Sequence, residues 1–201
     1  MANPTTGFGL QFSHRLDAAA LSAQMITRRI AYNEASLIYS GDLVEALVDG
    51  YVEAYTAGDS AAVLGGVFRG CKYLDPALGY TRWYPSWSAP TLPSTTIVEC
   101  FLECDPNIVY NIRSAGGTAA AVGIADIGAN FEVTVGAGNT LTGQSTTTLL
   151  NTPATTATFP LKMVGLYQGI ASDYNDPTLV NNIVQVKLNN LQWFQTAGIT
   201  T

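Results

Sequence analysis

The stretch Val98-Glu99-Cys100-Phe101-Leu102-Glu103-Cys104-Asp105-Pro106-Asn107-Ile108-Val109-Tyr110-Asn111-Ile112-Arg113 decides the fold class. Val98, Cys100, Leu102 and Cys104 fall on one parity, with Glu99, Phe101 and Glu103 on the other. After Asp105-Pro106-Asn107, the residues Ile108, Tyr110 and Ile112 alternate with Val109, Asn111 and Arg113. A period of two on both arms, with turn chemistry between them, predicts two strands joined as a hairpin.

The same texture extends on both sides. Leu43 to Val48 and Tyr51 to Tyr55 flank Asp49-Gly50, a short hairpin signal. Ala62 to Tyr73 reads as a strand because Gly65, Gly66 and Gly70 oppose a helix. Phe131 to Val135, Leu161 to Tyr167 and Ile183 to Leu188 are further strands, the last with Val184, Val186 and Leu188 inward. Leu191 and Trp193 lie on the other parity, which predicts a bend at Asn189-Asn190. A short helix is expected around Ala119–Ala125, and one or two helical turns over Asp17–Leu21. Residues 75–96 and 142–158 read as loops, the second with a weak strand as its alternative, and Asp173–Pro177 as a turn.

Many short strands without strand–helix alternation predict a mainly β protein. The expected architecture is one β-sandwich or β-barrel, with a jelly roll among the options and at most short helices. Residues 1–35 read as an extended N-terminal arm, in which Phe8, Leu10 and Phe12 alternate with small or polar residues; 36–201 form the β-domain.

Composition narrows function. Charged residues are 12% of the 201, about half the usual share of roughly 25%. The net charge of −6 and a basic content of nine Lys and Arg, adjacent only at Arg28-Arg29, argue against a nucleic-acid partner. No apolar run approaches the roughly 20 residues of a membrane span. A surface built from Thr, Ser, Asn and Gln desolvates cheaply and suits burial against other proteins. The start lacks a basic region followed by a long apolar one, so synthesis in a reducing cytoplasm is expected, with Cys71, Cys100 and Cys104 as buried free thiols.

Catalytic constellations are not evident. His14 is the single histidine and sits in the expected arm. Glu99 and Glu103 are about 13 Å apart on a strand, beyond the roughly 5 to 9.5 Å that glycoside hydrolysis needs. Neither a metal nor another cofactor is expected. The aromatic group Trp83, Tyr84 and Trp87 reads first as a lid on the chain's own core or on a neighbour, and second as a sugar-stacking platform.

The order of several short motifs resembles the capsid decoration, or cement, proteins of tailed bacteriophages. Met1-Ala2-Asn3 with Gly7-Phe8-Gly9-Leu10 resembles the family's opening, and His14-Arg15 its short basic element. Gly41-Asp42-Leu43-Val44, Val63-Leu64-Gly65-Gly66-Val67 and Cys104-Asp105-Pro106-Asn107-Ile108-Val109-Tyr110 resemble its first strand, its glycine-containing strand and its turn. Leu161 to Leu166 and Val184 to Asn189 resemble its last strands. The resemblance implies a non-enzymatic virion protein, made in the host cytoplasm. It would bind the outer surface of the head as a symmetric oligomer, a trimer by expectation, with the major capsid protein as its partner. The residues expected to meet partners are Phe8, Leu10, Phe12, His14 and Arg15 of the arm, and Trp83, Tyr84 and Trp87. A tail or baseplate subunit and a carbohydrate-binding module are the alternatives.

Overall fold

Two layers of β-structure share one apolar seam in the computed structural model, which describes residues 3–17, 25–59, 63–115, 120–167 and 175–194. The strands are β1 (Gln11–Arg15), β2 (Met25–Ile30), β3 (Ile38–Tyr39), β4 (Leu43–Ala46) and β5 (Tyr51–Ala54). They continue as β6 (Leu64–Asp75), β7 (Tyr80–Tyr84), β8 (Ser86–Trp87), β9 (Val98–Glu103) and β10 (Ile108–Arg113). The last are β11 (Asn130–Phe131), β12 (Val133–Thr134), β13 (Thr148–Leu149), β14 (Leu161–Leu166) and β15 (Ile183–Leu188). The protein is mainly β, and among the described residues no helix reaches seven residues.

The first layer is a closed five-stranded barrel. Its order is β4-β5-β2-β9-β6, and β6 returns to β4 through Leu43↔Val67 and Val44↔Gly66. Only β2 and β5 run parallel. One cluster takes Ile30, Val44, Val52, Phe68, Val98, Cys100 and Leu102 from these strands, so it fills the barrel; Ile38 and Trp87 of the small β3–β8 pair join it. The second layer is an open sheet in the order β1-β10-β15-β14-β11. Its inner residues, including Ile108, Tyr110, Met163, Val184 and Val186, meet Leu43, Leu64 and Val67 from the outside of the barrel. Leu43 and Val44 are adjacent and enter different clusters, as strand alternation requires. Fully burying each such side chain contributes about 1.5–3 kcal/mol.

The expected strands over 98–103 and 108–113 form, but they do not pair with each other. β9 lies between β2 and β6, and β10 between β1 and β15. The link is a turn in which the Asn107 amide donates to Asp105 Oδ1 at 2.8 Å, and it carries the chain from barrel to open sheet. With both edges of both strands occupied, no edge remains for a hairpin.

The N-terminal arm is the second correction. β1 pairs antiparallel with β10, and β2 is part of the barrel wall, pairing with β9 from Met25↔Glu103 to Ile30↔Val98. Leu10 is 0% exposed inside its own chain. The Asn3 side chain donates to the carbonyls of Asp176 at 2.9 Å and Val180 at 3.0 Å. A Cβ at Gly7 would stand 2.1 Å from the Thr146 carbonyl oxygen, so only glycine permits this approach. The described parts of 1–35 belong to the β-domain.

Other expectations divide. The hairpin about Asp49-Gly50 forms as β4–β5. The bend at 189–190 forms, with Asn190 at φ +54°. The expected loop 75–96 contains β7 and β8, and the weak strand of 142–158 is β13 alone. Around 119–125 the described helical element is one 3₁₀ turn, Ile124–Asp126. The strand 131–135 breaks at Glu132, since β11 pairs with β14 and β12 with β13. The proposed helical turns after Asp17 and residues 173–174 of the late turn lie outside the described residues.

Candidate interaction surface

β6 is twelve residues long and outruns its neighbour β9, whose pairing stops at Lys72↔Glu99. Beyond that point β6 pairs only with β7, from Tyr73↔Arg82 to Asp75↔Tyr80. The result is a hairpin standing off the barrel, with β7 as its outer edge. Its tip is held by Asp75: Oδ1 accepts from the Ala77 amide at 2.9 Å, and Oδ2 accepts from the Tyr84 hydroxyl at 2.6 Å. That hydroxyl holds the Asp75 carboxyl below the usual carboxylate range, and the same bond raises Tyr84.

The hairpin sorts the predicted aromatic residues by strand parity. Tyr84 stacks on Tyr73 with ring centroids 4.7 Å apart, and Tyr73 meets the edge of Trp87 at 5.9 Å. Trp87 is fully buried and donates its Nε1–H to the Glu34 carbonyl at 3.0 Å. These side chains serve the chain's own core. Trp83 has the parity opposite to Tyr84 on β7 and is 57% exposed. Its ring lies across Gly70, where a Cβ would come within 2.7 Å of it and where φ is +139°. Leu74, Leu78, Tyr80 and Ile97 are exposed nearby in sequence or pairing. Leu74, Ile97, Lys72 and Glu99 share an open groove of about 510 Å³ beside the hairpin, where Lys72 and Glu99 pair at 2.7 Å. Leu74, Leu78 and Ile97 were missed at the sequence level because exposure is not a local property; the usable signal was an apolar residue on each parity of one strand.

Trp83 and Tyr80 project from opposite faces of β7, because their separation is odd. Of the group Trp83, Tyr84 and Trp87, Trp83 is exposed, Tyr84 half-buried and Trp87 buried, so the three do not form one flat platform.

The N-terminal residues are spread rather than gathered. Phe12 packs half-buried against the seam, Phe8 is half-buried, and His14 is exposed on the edge strand β1. Arg15 pairs with Asp17 at 2.7 Å and with Asp105 of the inter-layer turn. Those carboxylates raise its already high pKa further. Nearby, Arg69 donates to Glu103 at 2.7 Å and to the Leu10 carbonyl at 3.0 Å, which ties the N-terminal segment to the barrel wall.

Cys71, Cys100 and Cys104 are free and buried, and burial pushes the Cys71 and Cys100 thiols up to about 12. No group of three or more metal-ligating side chains occurs among the described residues. No helix among them is long and apolar enough to cross a membrane. No protein-family model, curated protein sequence or solved structure matches the chain.

Proposed function

We propose that this chain is a non-enzymatic structural protein of a tailed-bacteriophage virion, which binds the outside of the head and bridges subunits of the major capsid protein. The order of sequence motifs supports this reading. The observation that carries it is the standing hairpin, with Leu74, Leu78, Tyr80 and Trp83 each 46–57% exposed on a chain otherwise poor in charge. Large apolar side chains exposed on both faces of a protruding hairpin support a protein-binding role, with Leu74 and Trp83 sharing one face. Binding the mature shell but not its precursor would stabilise that shell by mass action, and a symmetric oligomer such as a trimer would add effective concentration. Synthesis in the host cytoplasm is part of the same reading.

The contact is assigned to the hairpin rather than to an arm. Deleting residues 1–16 would also remove Leu10 from the core and all of β1 from its sheet, so loss of binding would report unfolding. The discriminating variant is Leu74→Ser with Trp83→Ser. Both side chains are more than half exposed, so the fold should persist while co-sedimentation with heads falls at least ~10-fold. Unchanged co-sedimentation, or electron microscopy that finds the protein on tails alone, rejects the proposal.

A further inference from the structure

Each layer of the molecule holds a pair of like charges directly opposite one another across two strands. In the open sheet the pair is Lys162 and Lys187, in register between β14 and β15. Across β10 the row meets Val109, which is fully buried, and beyond it His14, which is exposed on β1. This parity alternates with the residues packed in the seam, so the row lies on the sheet's outer face, away from the barrel. In the barrel the pair is Glu45 and Glu53, in register between β4 and β5. Burial, and after it the charges of Glu34 and Asp49, hold Glu53 above the ordinary carboxylate range. Like charges placed opposite are destabilising.

Glu45 itself is buried, 6% exposed, and its carboxylate accepts from the Thr56 amide, so the accessible acids of the patch are Glu34, Asp49 and Glu53. The four ion pairs among the described residues are Arg15–Asp17, Arg15–Asp105, Arg69–Glu103 and Lys72–Glu99, and they use none of Lys162, Lys187, Glu34, Asp49 or Glu53. Asp126 shares a groove with Lys162, but its carboxylate accepts from the Gly123 amide at 2.8 Å. The two patches cannot meet inside one molecule, because the lysine row faces away from the layer that carries the glutamates.

We infer that the chain associates with a second copy of itself head to tail, the outer lysine row of one copy resting on the β4–β5 acidic patch of the next. Two opposed charge clusters on different faces make a heterologous contact, which propagates into a ring or a filament according to its rotation. Complementary patches of this kind set orientation and speed encounter. The inference rests on the oligomer of the proposed function and supplies its contact, while its test is separate, because self-association is measured on purified chain without any phage component.

The test reverses each patch separately. One chain carries Lys162→Glu with Lys187→Glu; the other carries Asp49→Lys with Glu53→Lys. Sedimentation velocity in low salt should show the native chain associating, with added salt shifting it toward monomer. Each reversed chain alone should associate at least ~10-fold more weakly. Mixed together, the two should associate again, since each now offers what the other lacks. The rescue on mixing separates charge from misfolding. A native chain that stays monomeric in low salt, reversed chains that associate as well alone as the native one, or a mixture that stays dissociated each overturns the inference.

Discussion

The closed barrel and the open sheet solve the same problem differently. The barrel leaves no edge within its ring, because β6 returns to β4, and its core is filled from all five strands. What remains exposed is appended to it, as β7 on the far end of β6. The open sheet keeps two edges, β1 and β11, and has one apolar face, which the barrel covers together with Val122, Val133, Leu149 and Leu191. Its edge at β1 is blunted by an irregularity between Phe12 and His14 and by charge at Arg15. The difference teaches dependence: the barrel core takes no residue from the open sheet, whereas the sheet's core is completed by Leu43, Leu64 and Val67 of the barrel.

The largest expected effect tests that dependence. Phe68→Ala empties the barrel centre, where the side chain is fully buried, and should cost about 3–5 kcal/mol. Denaturant unfolding followed by tryptophan fluorescence and by far-ultraviolet circular dichroism should give coincident single transitions that move together to lower denaturant. A first transition that melts the barrel while sheet signal survives would separate the layers and break the comparison.

A smaller effect is expected where the layers join. Glu103→Ala leaves the Arg69 guanidinium, whose side chain is 15% exposed, with the Leu10 carbonyl as its remaining hydrogen-bond partner. The expected loss is about 2–4 kcal/mol, while Arg69→Met combined with Glu103→Leu should lose less than Glu103→Ala alone. A thermal-denaturation cycle over the single and double variants measures this, and additive losses would show that the pair does not act as a unit.

Two buried tyrosines sharpen the contrast further. Tyr55, at the end of the barrel wall, donates its hydroxyl to Glu132 at 2.9 Å; Tyr110, in the open sheet, is fully buried with its hydroxyl unpartnered. Tyr55→Phe should cost about 1.5–3 kcal/mol, and Tyr110→Phe should be neutral or stabilise by about 1 kcal/mol. Urea midpoints decide it, and equal losses would show that the hydroxyls are equivalently placed.

These contrasts were partly legible in the sequence. Alternation in 98–103 and 108–113 identified both strands and put Val98, Cys100, Leu102 and Cys104 on one face, because parity is local; the first three enter the barrel core and Cys104 the seam. It misassigned their pairing, because a partner is chosen by which edges the rest of the chain leaves free. β2 was passed over because Thr27, Arg28 and Arg29 look solvated, yet Ile30 at its end is 1% exposed in the barrel. β7 was hidden by the prolines around it, and those lie outside its five residues. At the candidate surface, Trp83 was readable as an aromatic residue. Its separation from the buried Trp87 was not, since that depends on the Tyr73 and Tyr84 stack supplied by two strands.

The smallest effect compares the two like-charge pairs themselves. Glu53→Gln and Lys187→Gln each relieve one pair, and each should stabilise the dilute monomer at pH 7 by about 0.2–1 kcal/mol. The gain from Glu53→Gln should depend on pH. Glu45 and Glu53 are both raised above the unfolded carboxylate value of 4.5, first by burial. A raised group favours folding fully below the unfolded value, and that contribution is lost as pH rises through the folded one. The gain from Glu53→Gln should therefore fade as pH drops from 7 toward 4.5. Thermal midpoints of Glu53→Gln against the native chain, taken across this range, would show that slope. A difference that stays level from pH 7 to 4.5 would show that burial does not raise the Glu53 carboxyl. If neither variant gains, the pairs carry no cost in the monomer, and a neighbouring copy has no cost to relieve.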